Sequence, residues 1–230
     1  MSFEFLKENL QKIQKTIAES CEEAGRDISS VTLLPVTKVQ PLEKLQALYE
    51  LGEKSFGENR VQELNEKADK LPKDIEWHLI GSLQSNKVRH ALKHATWIHS
   101  VDSIKLINRI NKIAGEDGVK PKILLQVNLT DESQKGGFDP DKVAEAVEVA
   151  SNCENLEIVG VMTMGKAGAS DLENREVFRH LKELQLKLNE KYPQISEISM
   201  GMSGDFPLAI LEGATYIRVG SLLLGSREYK

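Results

Sequence analysis

A lysine, an arginine and two glycine–serine turns are the residues of this chain whose types and positions could do chemistry. Lys38 closes the run Val31-Thr32-Leu33-Leu34-Pro35-Val36-Thr37-Lys38, which is otherwise largely apolar and β-branched. The last position of a buried strand is where α/β folds place reactive groups, although a lysine there can also simply carry its ammonium out to water. Met200-Gly201-Met202-Ser203-Gly204-Asp205 and Gly220-Ser221 each follow a strand-like run and open a helix-like one. Small residues at such turns let backbone N–H groups approach an anion, and a helix start adds partial positive charge, so both suit a phosphate. Glycine and serine also cap helices without any ligand. Two such turns at the ends of the seventh and eighth strands favour phosphate, because barrel folds use those ends for it.

A phosphate site beside a strand-end amine suggests imine chemistry of one of two kinds. Lys38 could form a Schiff base with the aldehyde of pyridoxal 5′-phosphate (PLP), or an imine with a sugar phosphate, as class I aldolases do. Arg218 helps to separate them, since from the middle of the last strand it points into the mouth, where a pyridine nitrogen could lie. An aldolase would also need a carboxylate or tyrosine near the imine, and no obvious candidate stands out.

The elements that must position these groups follow from periodicity. Phe3, Leu6, Leu10, Ile13, Ile17 and Cys21 share one face of a helix over residues 3–24, with Gly25 as its cap. Strand-like runs at 31–37, 54–56, 75–80, 97–100, 122–128, 157–162, 197–200 and 216–219 then alternate with helix-like segments. Those segments lie at 42–51, 58–70, 85–93, 103–114, 140–151, 171–191, 205–212 and 222–224. Strict alternation implies a parallel sheet. The turn after the first strand, Thr37-Lys38-Val39-Gln40-Pro41, has no glycine, which argues against a dinucleotide-binding open sheet. The expectation is an α/β fold: a single (β/α)8 TIM barrel with an extra N-terminal helix, one domain over residues 1–230.

Composition narrows the partners. A net charge of −5, with no basic stripe, excludes a nucleic-acid footprint. No apolar run approaches the roughly 20 residues of a membrane span, and Glu4, Lys7, Glu8, Lys12 and Lys15 leave no apolar core for a leader. Cys21 and Cys153 suggest neither a disulfide framework nor zinc. The expected location is the cytoplasm. His78 reads as a satisfied core residue, and His90, His94 and His99 lack metal-ligand spacing, so no metal is assigned. Glu58 and Asp102 are too isolated in sequence to form a catalytic pair. Glu132 and Lys135 suggest a local loop ion pair of little worth if exposed.

Seven ordered motifs then carry a family resemblance over nearly the whole chain. They are Leu34–Lys38, Phe56-Gly57-Glu58-Asn59-Arg60-Val61-Gln62-Glu63, Trp77-His78-Leu79-Ile80-Gly81-Ser82-Leu83-Gln84-Ser85-Asn86-Lys87, Val127-Asn128, Gly160–Met164, Ser199–Ser203 and Arg218-Val219-Gly220. The chain resembles the pyridoxal phosphate homeostasis (YggS/PROSC) family, whose barrel is like the N-terminal domain of alanine racemase. The resemblance implies PLP held as an aldimine on Lys38, its phosphate around Ser203, Gly204, Gly220 and Ser221. It places Arg218 at the pyridine nitrogen and Asn59 beside the ring. Arg60 stands where the family usually has tyrosine, and Gly204 where it often has aspartate.

Two residue-level readings bear on turnover. Amino-acid racemases of this fold type carry a second domain with a tyrosine base, for which the chain leaves no room after Gly225. A cation beside the ring nitrogen also weakens the electron sink that most PLP enzymes strengthen with a carboxylate. The expectation is therefore a non-enzymatic PLP carrier in vitamin B6 homeostasis, with PLP-dependent apo-enzymes as partners and a monomeric state. A minor amino-acid racemase is the alternative.

Overall fold

In the computed structural model, which describes residues 3–130 and 136–225, the opening helix α1 (Glu4–Glu23) buries Leu6, Leu10, Ile13, Ile17 and Cys21 on one face. Gly25, at φ +63°, supplies the left-handed residue that ends it. Beyond it, β1 (Thr32–Pro35), β2 (Ser55–Glu58), β3 (Glu76–Leu79) and β4 (Ala95–Val101) alternate with α2 (Leu42–Glu50), α3 (Val61–Ala68) and α4 (Val88–Leu92). The second half continues with α5 (Ile104–Asp117), β5 (Lys122–Gln126), α6 (Val143–Ser151), β6 (Glu157–Met162) and α7 (Asp171–Lys191). It ends with β7 (Glu197–Ser199), α8 (Phe206–Leu211), β8 (Tyr216–Val219) and α9 (Ser221–Leu224). Helix α7 starts on a reciprocal cap in which Ser170 and Glu173 satisfy each other's backbone donors.

All eight strands run parallel in the order β1-β8-β7-β6-β5-β4-β3-β2, a nearly closed (β/α)8 barrel with the extra helix at its start. The expected fold class holds, with element ends moved by a few residues. One such shift matters: Lys38 is not the last residue of a strand. Strand β1 stops at Pro35, Val36 makes a single bridge to Gly57, and Lys38 lies in the turn beyond.

Strand β1 ends with its partner β8, at the pair Pro35–Val219, and Pro35 explains why no ladder forms on the other side. The N–H groups of Thr32 and Val36 bond to Thr215 and Val219 on the β8 side, and that of Thr37 bonds to Gly57 on the β2 side. Alternation therefore aims position 35 at β2, and proline has no N–H to give. The barrel closes between β1 and β2 through the Val36–Gly57 bridge rather than through a ladder.

The apolar core lies mostly between strands and helices, where residues such as Leu79, Ile98, Leu125, Val161 and Ile217 are fully buried. The lumen is different. Barrel interiors are ordinarily filled by branched aliphatic side chains, yet here Trp97, Leu124, Met162 and Tyr216 cluster separately from the main core. Beside them His78, His99, Ser199 and Arg218 are buried.

Candidate functional site

The mouth of the barrel brings the expected residues onto one arc, formed by the ends of β7, β8, β1 and β2. Leu34 is in register with Arg218 across β1 and β8. The turns after β7 and β8 are stitched together, since the Arg218 N–H donates to the Gly201 carbonyl at 3.0 Å. Gly201 sits at φ +86°, and a Cβ there would lie 2.6 Å from that of Ala209, so only glycine fits. Ser203 Oγ accepts from the N–H groups of Gly220, at 3.2 Å, and Leu222, at 3.4 Å. Two backbone donors thus converge on one oxygen, a geometry that also suits a phosphate oxygen. Ser221 is exposed at the first position of α9. Gly204 is exposed as well, and a Cβ there would meet nothing within 4 Å, so a side chain is sterically allowed at that position.

Asp205, to which the sequence reading gave no role, accepts from the Met202 N–H at 2.6 Å and so fixes the β7 turn. Burial raises its carboxyl above the ordinary range, against the pull of that hydrogen bond and of Arg218.

Lys38 is half-buried between Thr37 and Val39, and both neighbours are tied from below. Lys67, on α3, donates at 2.7 Å to each of three oxygens: the Thr37 carbonyl, Glu58 Oε1 and Glu63 Oε1. Thr37 donates its hydroxyl to Glu58 Oε1 at 2.6 Å, and the Val39 N–H donates to Glu63 Oε1 at 2.6 Å. Val39 has φ +60°, unusual for a β-branched residue, so this brace holds the Lys38 turn in a conformation the chain would not choose alone. Glu58 is therefore partnered, by Lys67, as its isolation in the sequence did not suggest. Burial lifts the Glu58 carboxyl above the ordinary range, more than Lys67 and Thr37 draw it down. Its Oε2 has no hydrogen-bond partner among the described residues. The i,i+4 spacing of Glu63 and Lys67 was the one local sign of the brace. Asn59 follows β2 directly and is half-buried, while Arg60 is exposed.

Arg218 is buried, and two of its nitrogens are committed inward: Nη1 to Ser199 Oγ at 2.7 Å and Nη2 to the Thr163 carbonyl at 2.9 Å. Burial without an adjoining carboxylate draws its guanidinium down to about 10, still a cation at neutral pH, with Asp205 the opposing influence. Behind it, Ser199 Oγ lies 2.9 Å from His99 Nδ1, and His99 Nε2 lies 2.9 Å from His78 Nδ1. His78 is a satisfied core histidine, as its strand position implied, and burial pushes both imidazoles down, His99 the further. The alternation Glu76/His78 and Trp97/His99 on adjacent strands was the signal that could have found them. Among the described residues no group of three metal-ligating side chains gathers, and no helix is long and apolar enough to cross a membrane. Glu132 and Lys135 lie outside the described residues.

Comparison with known proteins adds to this geometry. The family model described as alanine racemase, N-terminal domain, matches residues 5–228. A protein of Aquifex aeolicus named pyridoxal phosphate homeostasis protein is 38% identical over 224 residues, covering 96% of this chain and 98% of its own. One of Vibrio cholerae with the same name is 36% identical over 229 residues, covering 97% of each. Among solved structures, PipY of Synechococcus elongatus with PLP bound superposes with a TM-score of 0.81 at 41% identity, covering 91% of this chain and all of that one.

Proposed function

The chain belongs to the alanine racemase N-terminal domain family, and from that premise we propose that it holds PLP on Lys38 for vitamin B6 homeostasis, without a catalytic cycle of its own. The observation that carries the reading is the arc of the mouth. There the neighbouring ends of β7, β8, β1 and β2 carry a braced lysine turn, a pair of converging N–H donors and a buried arginine.

The residues fit the cofactor. The donors now shared by Ser203 Oγ are those a phosphate oxygen would take, and Ser203, Gly204 and Ser221 line the turns around it. When bound, PLP supplies an aldehyde for the lysine amine and a ring able to withdraw electrons. Lys38 is the tether. Asn59, at the end of β2, flanks the ring. Arg218 presents a cation where the ring nitrogen would lie, which disfavours protonation of that nitrogen and leaves the electron sink weak. Relatives named homeostasis proteins rather than enzymes agree with that chemistry.

We take residues 1–230 as one PLP-binding domain, monomeric and cytoplasmic, that gives up its cofactor to PLP-dependent apo-enzymes. The test begins with purified protein and PLP. A visible absorption band is expected, absent in Lys38→Ala, and incubation with L- or D-alanine should leave the optical rotation unchanged. Turnover that disappears in Lys38→Ala would replace the carrier with a minor racemase. A missing band in the wild type would remove the PLP reading itself.

A further inference from the structure

We propose that Glu76, His78, His99 and Ser199 form a hydrogen-bonded column of fixed direction through the lumen, which positions Arg218 against the cofactor ring. The inference rests on the PLP reading above and deepens it by assigning residues at the floor of the barrel to the state of a group bound at its mouth.

The direction follows from the donor inventory. Arginine has only donors, so at the 2.7 Å contact Ser199 Oγ accepts. A hydroxyl oxygen can accept twice, so the contact of Ser199 Oγ with His99 Nδ1, at 2.9 Å, takes its direction from the opposite end, where the Glu76 carboxylate can only accept. A neutral His99 carries its proton on Nε2 and donates to His78 Nδ1 at 2.9 Å. His78 in turn carries its proton on Nε2, which lies 3.3 Å from Glu76 Oε2. Glu76 accepts as a carboxylate, held below its ordinary range first by His78. With both imidazoles neutral, a proton on His78 Nε2 puts one on His99 Nε2, leaves His99 Nδ1 bare and turns the Ser199 hydroxyl toward it, so the column runs from a buried cation to a half-exposed anion.

Its surroundings keep it to that path. Trp97 stacks on His78 with ring centres 5.1 Å apart, and Tyr216 meets His99 edge-on at 5.8 Å. The charged groups facing the column from neighbouring elements are Lys122, over the Trp97 ring at 4.7 Å, Glu197 near Tyr216, and Asp205 toward Arg218. With Nη2 held by Thr163, the guanidinium plane is pinned, and Nε carries no hydrogen bond among the described residues. The Nε–H and the second N–H on each Nη are therefore the donors left for the ring. Ser199, His99, His78 and Glu76 are thus positioning residues, acting through Arg218.

Two measurements test the column. Side-chain nitrogen NMR of the protein with PLP should find His78 and His99 neutral, both as the Nε2–H tautomer, from pH 6 to 8 (about a pH unit either side of neutral). An Nδ1–H tautomer or an imidazolium at either site overturns the direction. Ser199→Ala, which removes the contact with Arg218 and changes little volume, should weaken PLP retention about tenfold and shift the pH midpoint of the visible band. Glu76→Gln should move that midpoint the same way by less. Wild-type retention and titration in both variants would overturn the column while leaving PLP binding intact. A wild-type protein with no visible band would instead remove the reading on which the column rests.

Discussion

Beneath Lys38 the buried polar groups carry full charges; beneath Arg218 they are mostly neutral. The first assembly concentrates the Lys67 ammonium and the carboxylates of Glu58 and Glu63 within direct contact, and it leaves one carboxylate oxygen unpartnered. The second spreads its two charges to opposite ends of a chain of imidazoles and a hydroxyl, each bonded on both sides. A charged brace is strong only while every partner is present, because removing one leaves an uncompensated charge. A neutral column loses a hydrogen bond at a time. The lysine turn, with its left-handed valine, needs the stiffer support. The arginine needs placement more than force.

The comparison breaks most severely at Lys67. Lys67→Met should destabilise the protein by about 3–5 kcal/mol in urea denaturation at neutral pH, with part of the loss recovered on acidification as Glu58 takes up a proton. A loss below about 1 kcal/mol would show the brace to be replaceable packing. His99→Leu comes next, at about 2–3 kcal/mol, since it strands the Ser199 hydroxyl and His78 Nδ1.

Glu58→Gln sharpens the contrast through pH. The folded carboxyl lies above its unfolded value, so the native state binds the extra proton, and wild-type stability declines as pH rises from the ordinary glutamate range through the raised one. Subtracting the variant's profile cancels the exposed carboxylates and should leave that decline; a flat difference would refute the shift. The smallest effect is expected from Val39→Gly. Relief of the +60° φ is offset by glycine's entropy, for a net gain of about 1 kcal/mol or less in thermal melts.

What the sequence reveals depends on how local the cause is. Alternating strands and helices are written in apolar periodicity, and the two small-residue turns in local backbone chemistry, so the barrel and much of its mouth were legible. Lys38 was legible as a residue but misplaced by three positions, because the end of β1 is set across the ring by the end of β8. The brace needs Thr37 from the turn after β1, Glu58 from the end of β2 and Lys67 from α3. The column draws Glu76 and His78, His99, Ser199 and Arg218 from four strands. No spacing rule joins those positions; only closure of the ring does.

The same Pro35 has a kinetic consequence. Six junctions of the ring are paired over several residues and that of β7 with β8 over Ser199 and Tyr216 within named strands, whereas the eighth, between β1 and β2, has no strand pairing and rests on the Val36–Gly57 bridge and the Thr37 amide. Local opening is cheapest where the fewest main-chain bonds must break. The Thr37 amide should therefore exchange with solvent well before those of Leu124 or Val161 on the far wall. The joint with the fewest main-chain bonds therefore lies directly under the turn that carries Lys38 and is held largely by side chains, Thr37 and Lys67 both reaching Glu58 across it, so losing that brace should free the Thr37 amide first.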